Sequence, residues 1–150
     1  MLGSPQNENA ESREVEETMW KPLPSAVALA MLAATASAAE PTGTWLSQSG
    51  ETKVRIAPCG SEFCGTIVWV KSDANDVNNP DPSLRDRSLV GIRMIFGMKA
   101  SGDGYSGKLY NFTDGKTYSG KLKTVGSDRL ELSGCVMGVF CKRQTWTRAE

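Results

Sequence analysis

From residue 43 onward the chain is a succession of short β-prone runs joined by close turns, with no amphipathic helix of ordinary length. Gly43-Thr44-Trp45-Leu46-Ser47 opens the series. Residues 52–57 alternate, with Val54 and Ile56 on one face and Lys53 and Arg55 on the other. Residues 64–71 are strongly β-prone, and 72–88 form a polar loop rich in Asp, Asn and Pro. Residues 89–98 are apolar with two glycines, which suits a bent strand or a strand pair. Four further runs follow at 105–111, 117–124, 129–135 and 142–148. About eight short antiparallel strands predict an all-β barrel or sandwich.

The four cysteines, Cys59, Cys64, Cys135 and Cys141, all lie in this β-prone part. An even count in an exported chain reads as disulfides. Three connectivities are possible, and the spacing favours the local pairs Cys59–Cys64 and Cys135–Cys141. The rival is a zinc site. Against it, the spacings are looser than a zinc knuckle and the chain contains no His. If each pair closes a hairpin with its cysteines opposed, Ile56 faces Ile67 and Val54 faces Trp69 in the first. In the second, Leu132 faces Gln144 and Leu130 faces Trp146. Apolar residues then share one face in both hairpins, and a slip of one residue would scramble that face. Val68 and Val70 are left pointing outward.

A third hairpin carries a near-repeat, Tyr105-Ser106-Gly107-Lys108-Leu109 and Tyr118-Ser119-Gly120-Lys121-Leu122, around Asp114-Gly115. A two-residue turn at Asp114-Gly115 pairs Leu109 with Gly120 and Gly107 with Leu122. Each large residue then faces a gap, and Lys108 stands opposite Lys121.

The leading residues say where the protein works. Lys21, an apolar run at 26–34 and Ala36-Ser37-Ala38 compose a secretion signal over residues 19–38, with cleavage before Ala39. The nine-residue run is too short to span a bilayer. Residues 1–18 are polar and acidic and read as a non-structural leader or a misassigned start. Residues 39–150 form one domain, periplasmic or secreted. The first 38 residues hold five acids and two bases, so the exported part has 15 bases against 12 acids. That excess of three is too weak and dispersed for nucleic acid. No second apolar segment follows, so no membrane span is expected.

Gly43-Thr44-Trp45, Asn79-Pro80-Asp81, Asp114-Gly115-Lys116-Thr117-Tyr118-Ser119-Gly120, Gly134-Cys135 and Gln144-Thr145-Trp146-Thr147-Arg148 together resemble a bacterial exported family, domain of unknown function 2147. The resemblance covers about residues 42–148 and is most specific in the last forty. It implies a periplasmic or secreted lipocalin-like barrel and no established activity. In such barrels a Trp of the first strand often packs under a basic side chain of the last, which assigns closure to Trp45 and Arg148.

Catalysis is poorly supported. Without His, the usual base for a Ser or Cys nucleophile is missing. The acid pairs Asp73/Asp76 and Asp81/Asp86 sit in the polar loop, where a solvated turn is the simpler role. That loop fails the calcium-binding pattern, with Val77 at a ligand position and the required Gly absent, so no metal or cofactor is expected. In the same loop, Arg85 and Arg87 suit either an anion clamp beside Asn79 and Asp81, or pairing with Asp81 and Asp86 to hold the loop shut. The second is preferred. The candidate lining of a ligand cavity is Trp69, Tyr105, Gly107, Leu109, Tyr118, Gly120, Leu122 and Trp146. These residues suit a small hydrophobic guest or a filled core. The expected function is binding of a small apolar or amphipathic molecule, with a filled structural or interaction protein of the cell envelope as the alternative. Oligomeric state is not legible.

Overall fold

The computed structural model describes residue 3 and residues 38–150. Eight strands run in order: β1 Gly43–Leu46, β2 Thr52–Cys59, β3 Glu62–Val70, β4 Arg93–Ser101, β5 Gly104–Asn111, β6 Lys116–Val125, β7 Arg129–Val136 and β8 Phe140–Arg148. Each pairs antiparallel with the next, and β1 pairs with β8, so the sheet closes on itself and leaves no free edge. A 3-10 turn, Pro82–Leu84, lies in the long β3–β4 connection. The leader apart from Gly3, and all but the last residue of the signal segment, lie outside the described residues. Among the described residues, no helix is long and apolar enough to cross a membrane.

Up-and-down topology gives the barrel two unlike ends. One carries the β2–β3, β4–β5 and β6–β7 turns together with residues 38–42 and the end of β8. Here the interior is solid: Trp45, Val54, Ile56, Ile67, Ile95, Leu122 and Leu130 are buried to 1% exposure or less. The other end carries the β1–β2, β3–β4, β5–β6 and β7–β8 connections, and it is open.

Both disulfides form in the local pairing, Cys59–Cys64 and Cys135–Cys141. The β7–β8 register matches the expectation throughout: Cys135 opposes Cys141, Leu132 opposes Gln144 and Leu130 opposes Trp146. The other two hairpins are shifted. In β2–β3 the turn is only Gly60-Ser61, so Cys59 opposes Glu62, Ala57 opposes Cys64, and the bridge runs diagonally. Val54 consequently faces Ile67 and Ile56 faces Gly65. Beyond this, Lys53 pairs with Trp69 and leaves Val68 unpaired in a bulge. One inserted residue reverses the inside–outside alternation. Trp69 therefore lies outside, 39% exposed, with the Lys53 ammonium 5.4 Å from its ring centre. Val70 turns inward against the core.

In β5–β6 the connection is four residues, not two, closed by the Gly115 amide on the Asn111 carbonyl at 2.8 Å. Leu109 pairs with Tyr118, Gly107 with Gly120, Tyr105 with Leu122, and Lys108 with Ser119. The large-against-small packing survives as a diagonal. A methyl added at Gly120 would sit 2.4 Å from Leu109 Cγ. Gly107 has a different role, because a methyl there would meet the Phe96 carbonyl at 2.3 Å. Residues 89–92 precede β4 rather than belonging to it, and β4 is a single irregular strand with its register shift between Phe96 and Lys99.

Candidate functional site

The open end leads into a cavity of about 620 Å³. Its apolar wall comes from alternate inward positions of four strands: Met94 on β4, Leu109 on β5, Leu132 on β7 and Trp146 on β8. Tyr118, Lys142 and Gln144 add polar groups, and Ser47, Thr52, Phe112, Asp114, Val136 and Phe140 complete the wall and mouth. The Trp146 indole N–H donates to Gln144 Oε1 at 2.9 Å. The Tyr118 hydroxyl donates to Asp114 Oδ2, and the Lys116 amide donates to the other oxygen, Asp114 Oδ1. Burial pushes the Asp114 carboxyl up, but these hydrogen bonds outweigh it and hold the group below its ordinary range. Lys142 takes part in no ion pair among the described residues. Gly134 lines the cavity with room to spare, since an added methyl would meet Tyr118 and Leu109 at 3.7–3.8 Å, ordinary contact distance.

Of the eight expected lining residues, Leu109, Tyr118 and Trp146 border this space. The other five do not. Trp69 is outside because of the bulge at Val68. Gly107 and Gly120 are covered by the Phe96 carbonyl and by Leu109. Leu122 is sealed in the solid half, 1% exposed. Tyr105 sits at the closed end, edge-on to Phe63, with its hydroxyl donating to the Ala38 carbonyl at 3.2 Å. Met94, Phe112, Leu132, Gly134, Lys142 and Gln144 were not among the expected lining residues. Gln144 was within reach of sequence reasoning, because the β7–β8 register sets it opposite Leu132. Met94 was marked only by the charged, exposed Arg93 before it, because the Ile95 and Phe96 that follow are also apolar and show no alternation.

The closed end is held by β1 and β8. The Arg148 guanidinium stands 4.2 Å from the centre of the Trp45 ring and donates to the Ser127 and Thr42 carbonyls. The Trp45 indole N–H donates to the Pro41 carbonyl at 2.8 Å.

The long loop packs on the β5–β6 hairpin beside the mouth. Asn78 Nδ2 donates to the Phe112 and Thr113 carbonyls. The centre of the loop is Asp76, fully buried. It accepts from Tyr110 Oη at 2.7 Å, Asn79 Nδ2 at 2.7 Å, and Arg87 Nη2 and Nε at 2.8 and 3.1 Å. Arg87 therefore pairs with Asp76, not with Asp81 or Asp86, and Arg85 binds the Asn79 carbonyl. Asp81 instead caps the 3-10 turn through the Ser83 amide and hydroxyl. Asp76 and Asp81 thus already satisfy protein donors, which is a structural role. Among the described residues, no group of three His, Cys, Asp or Glu side chains is placed to hold a metal.

A second depression of about 560 Å³ lies over the β4–β5 turn and outer positions such as Lys121, Lys123, Glu131 and Arg143. Its charged wall, with the Lys123–Asp103 ion pair at its edge, does not suit an apolar guest.

An eight-stranded barrel with one sealed end and one open, partly apolar mouth defines the lipocalin-like class. The solved protein HP1028 from Helicobacter pylori, described as belonging to the lipocalin family, matches with a TM-score of 0.67 at 27% identity. The match covers 74% of this chain and 84% of that one. Residues 43–148 match the family described as an uncharacterised protein conserved in bacteria, DUF2147, and the chain belongs to that family. Comparison with curated proteins gave no match.

Proposed function

We propose that the protein is an exported, non-catalytic carrier of a small amphipathic molecule. The observation that carries this reading is the cavity of about 620 Å³ at the open end, within the range of small-molecule sites. An apolar body would rest on Met94, Leu109, Leu132 and Trp146. A polar or anionic head would face Lys142, Gln144 and the Tyr118 hydroxyl. Export rests on the signal-like residues 19–38 and fits the two disulfides. N-terminal sequencing of the exported form should begin at Ala39, and a mature chain retaining residues 26–34 would sink the export reading.

Dodecanoate, an apolar chain with an anionic head, is a direct probe. It should change Trp fluorescence through Trp146 and raise thermal stability by mass action. Gly134→Leu should fill the space and remove both effects while the fold is retained. The competing reading is an envelope interaction protein whose mouth holds only water. It draws support from the solid half of the barrel, and it wins if dodecanoate and a panel of neutral amphiphiles leave fluorescence and melting unchanged.

A further inference from the structure

The tip of the β7–β8 hairpin is apolar where a soluble protein is usually polar. Val136, Met137, Val139 and Phe140 are 47%, 88%, 76% and 73% exposed. They form one contiguous stretch broken only by Gly138. The turn itself is informative. The Val139 amide binds the Val136 carbonyl, and both central residues have positive φ, 56° at Met137 and 69° at Gly138. That turn favours Asn-Gly, and among the described residues Met137 is the one non-glycine in this conformation. The backbone thus tolerates an unfavourable residue at the apex and displays a large apolar side chain there. Directly behind the tip, the Cys135–Cys141 disulfide joins the two strands, so the four side chains are presented on a braced base.

Along the hairpin beyond Glu131 the charge has one sign. Residues 132–148 contain no Asp or Glu, and Lys142 and Arg143 follow the tip after Cys141. Of the carboxylates at this end, Asp114 is occupied by Tyr118 and the Lys116 amide, and Glu51 lies in the β1–β2 connection. A protruding apolar wedge backed by cations fits the boundary between acyl chains and anionic headgroups. We propose that this stapled tip docks the barrel, mouth first, on an anionic lipid surface. Val136 and Phe140 belong to both the tip and the cavity wall, so docking would make the apolar surface continuous from bilayer to cavity. The docking stands whether or not the cavity holds a guest.

The test is co-sedimentation of the exported protein with vesicles of phosphatidylethanolamine and phosphatidylglycerol, and with phosphatidylcholine vesicles as the uncharged arm. The wild type should pellet with the anionic vesicles, and added salt should weaken this binding. Met137→Asn combined with Val139→Ser should reduce binding by at least about tenfold. The same change should leave the melting temperature equal or raised, because Asn-Gly suits the turn. Arg143→Gln should narrow the preference for anionic vesicles. Wild type remaining in the supernatant, or a double variant binding as well as wild type, would overturn the proposal. So would a solution dimer that the double variant dissociates while neither form binds vesicles, since the tip would then be covered by a second copy.

Discussion

Asp76 and Arg148 are the residues on which most local structure converges. Burial alone would push the Asp76 carboxyl up, but the hydrogen bonds from Tyr110, Asn79 and Arg87, and the Arg87 charge, outweigh it and hold the group below its ordinary 3.8. A depressed folded value stabilises the protein above about pH 4, and this contribution is lost as the pH falls through the folded value. Tyr110 behaves in the opposite sense. Burial first, then the bond to Asp76, pushes its hydroxyl up to about 12. Its contribution is complete below pH 10 and lost as the pH rises towards 12. Asp76→Asn should therefore cost on the order of 3 kcal/mol, because Tyr110 and Arg87 lose a buried anionic partner. Stability against pH, followed by urea unfolding, should show a shallower alkaline loss in Tyr110→Phe than in wild type. An alkaline limb unchanged by that substitution would remove the tyrosine from the account. At the closed end, Arg148→Ala should cost about 1 kcal/mol, since the guanidinium is exposed and its ring contact is of the weaker kind. Gly43 tests the same packing from the other side: a methyl there would lie 2.2 Å from Arg148 Nη1, at a φ of 138°. Gly43→Ala should therefore also lower the denaturation midpoint.

At the scale of the hairpins, the strands were legible and their registers only partly so. The β7–β8 register could be read because its cysteines are directly opposed and its apolar residues fall on one face. The same assumption failed for β2–β3, where a tighter turn makes the bridge diagonal. Both registers keep Val54 and Ile56 on the same face, so the apolar pattern could not distinguish them. The bulge at Val68 was invisible for a related reason: residues 67–70 are apolar at every position, and no alternation was left to break. That error carried Trp69 into the expected cavity. For β5–β6, Asp-Gly normally marks a two-residue turn, but here Asp114 accepts from the Lys116 amide within a longer one. The corrected registers make two glycines distinguishable. Gly120→Leu should destabilise the barrel by overpacking, about 1–3 kcal/mol. Gly134→Leu should be much milder, because its neighbours leave ordinary contact space. Equal costs in urea unfolding would contradict the β5–β6 packing. Each disulfide closes a short loop, with sequence separations of 5 and 6, and so should contribute less than the usual ~2–4 kcal/mol.

For the whole molecule, the barrel's two ends have different tasks. One is filled with side chains and sealed by Trp45 and Arg148, and the other holds the cavity. Family resemblance and strand count made the closed barrel legible before any coordinates. The division into a solid and a hollow half was not legible, since it depends on the corrected registers and on where alternation is interrupted. The carrier reading requires that the hollow half be occupied in the protein's own setting. Native mass spectrometry of protein purified from its host's cell envelope tests this most directly. The account predicts a second peak heavier by one small-molecule mass in the wild type, absent in Gly134→Leu. A bare chain with no added mass in both preparations would contradict it.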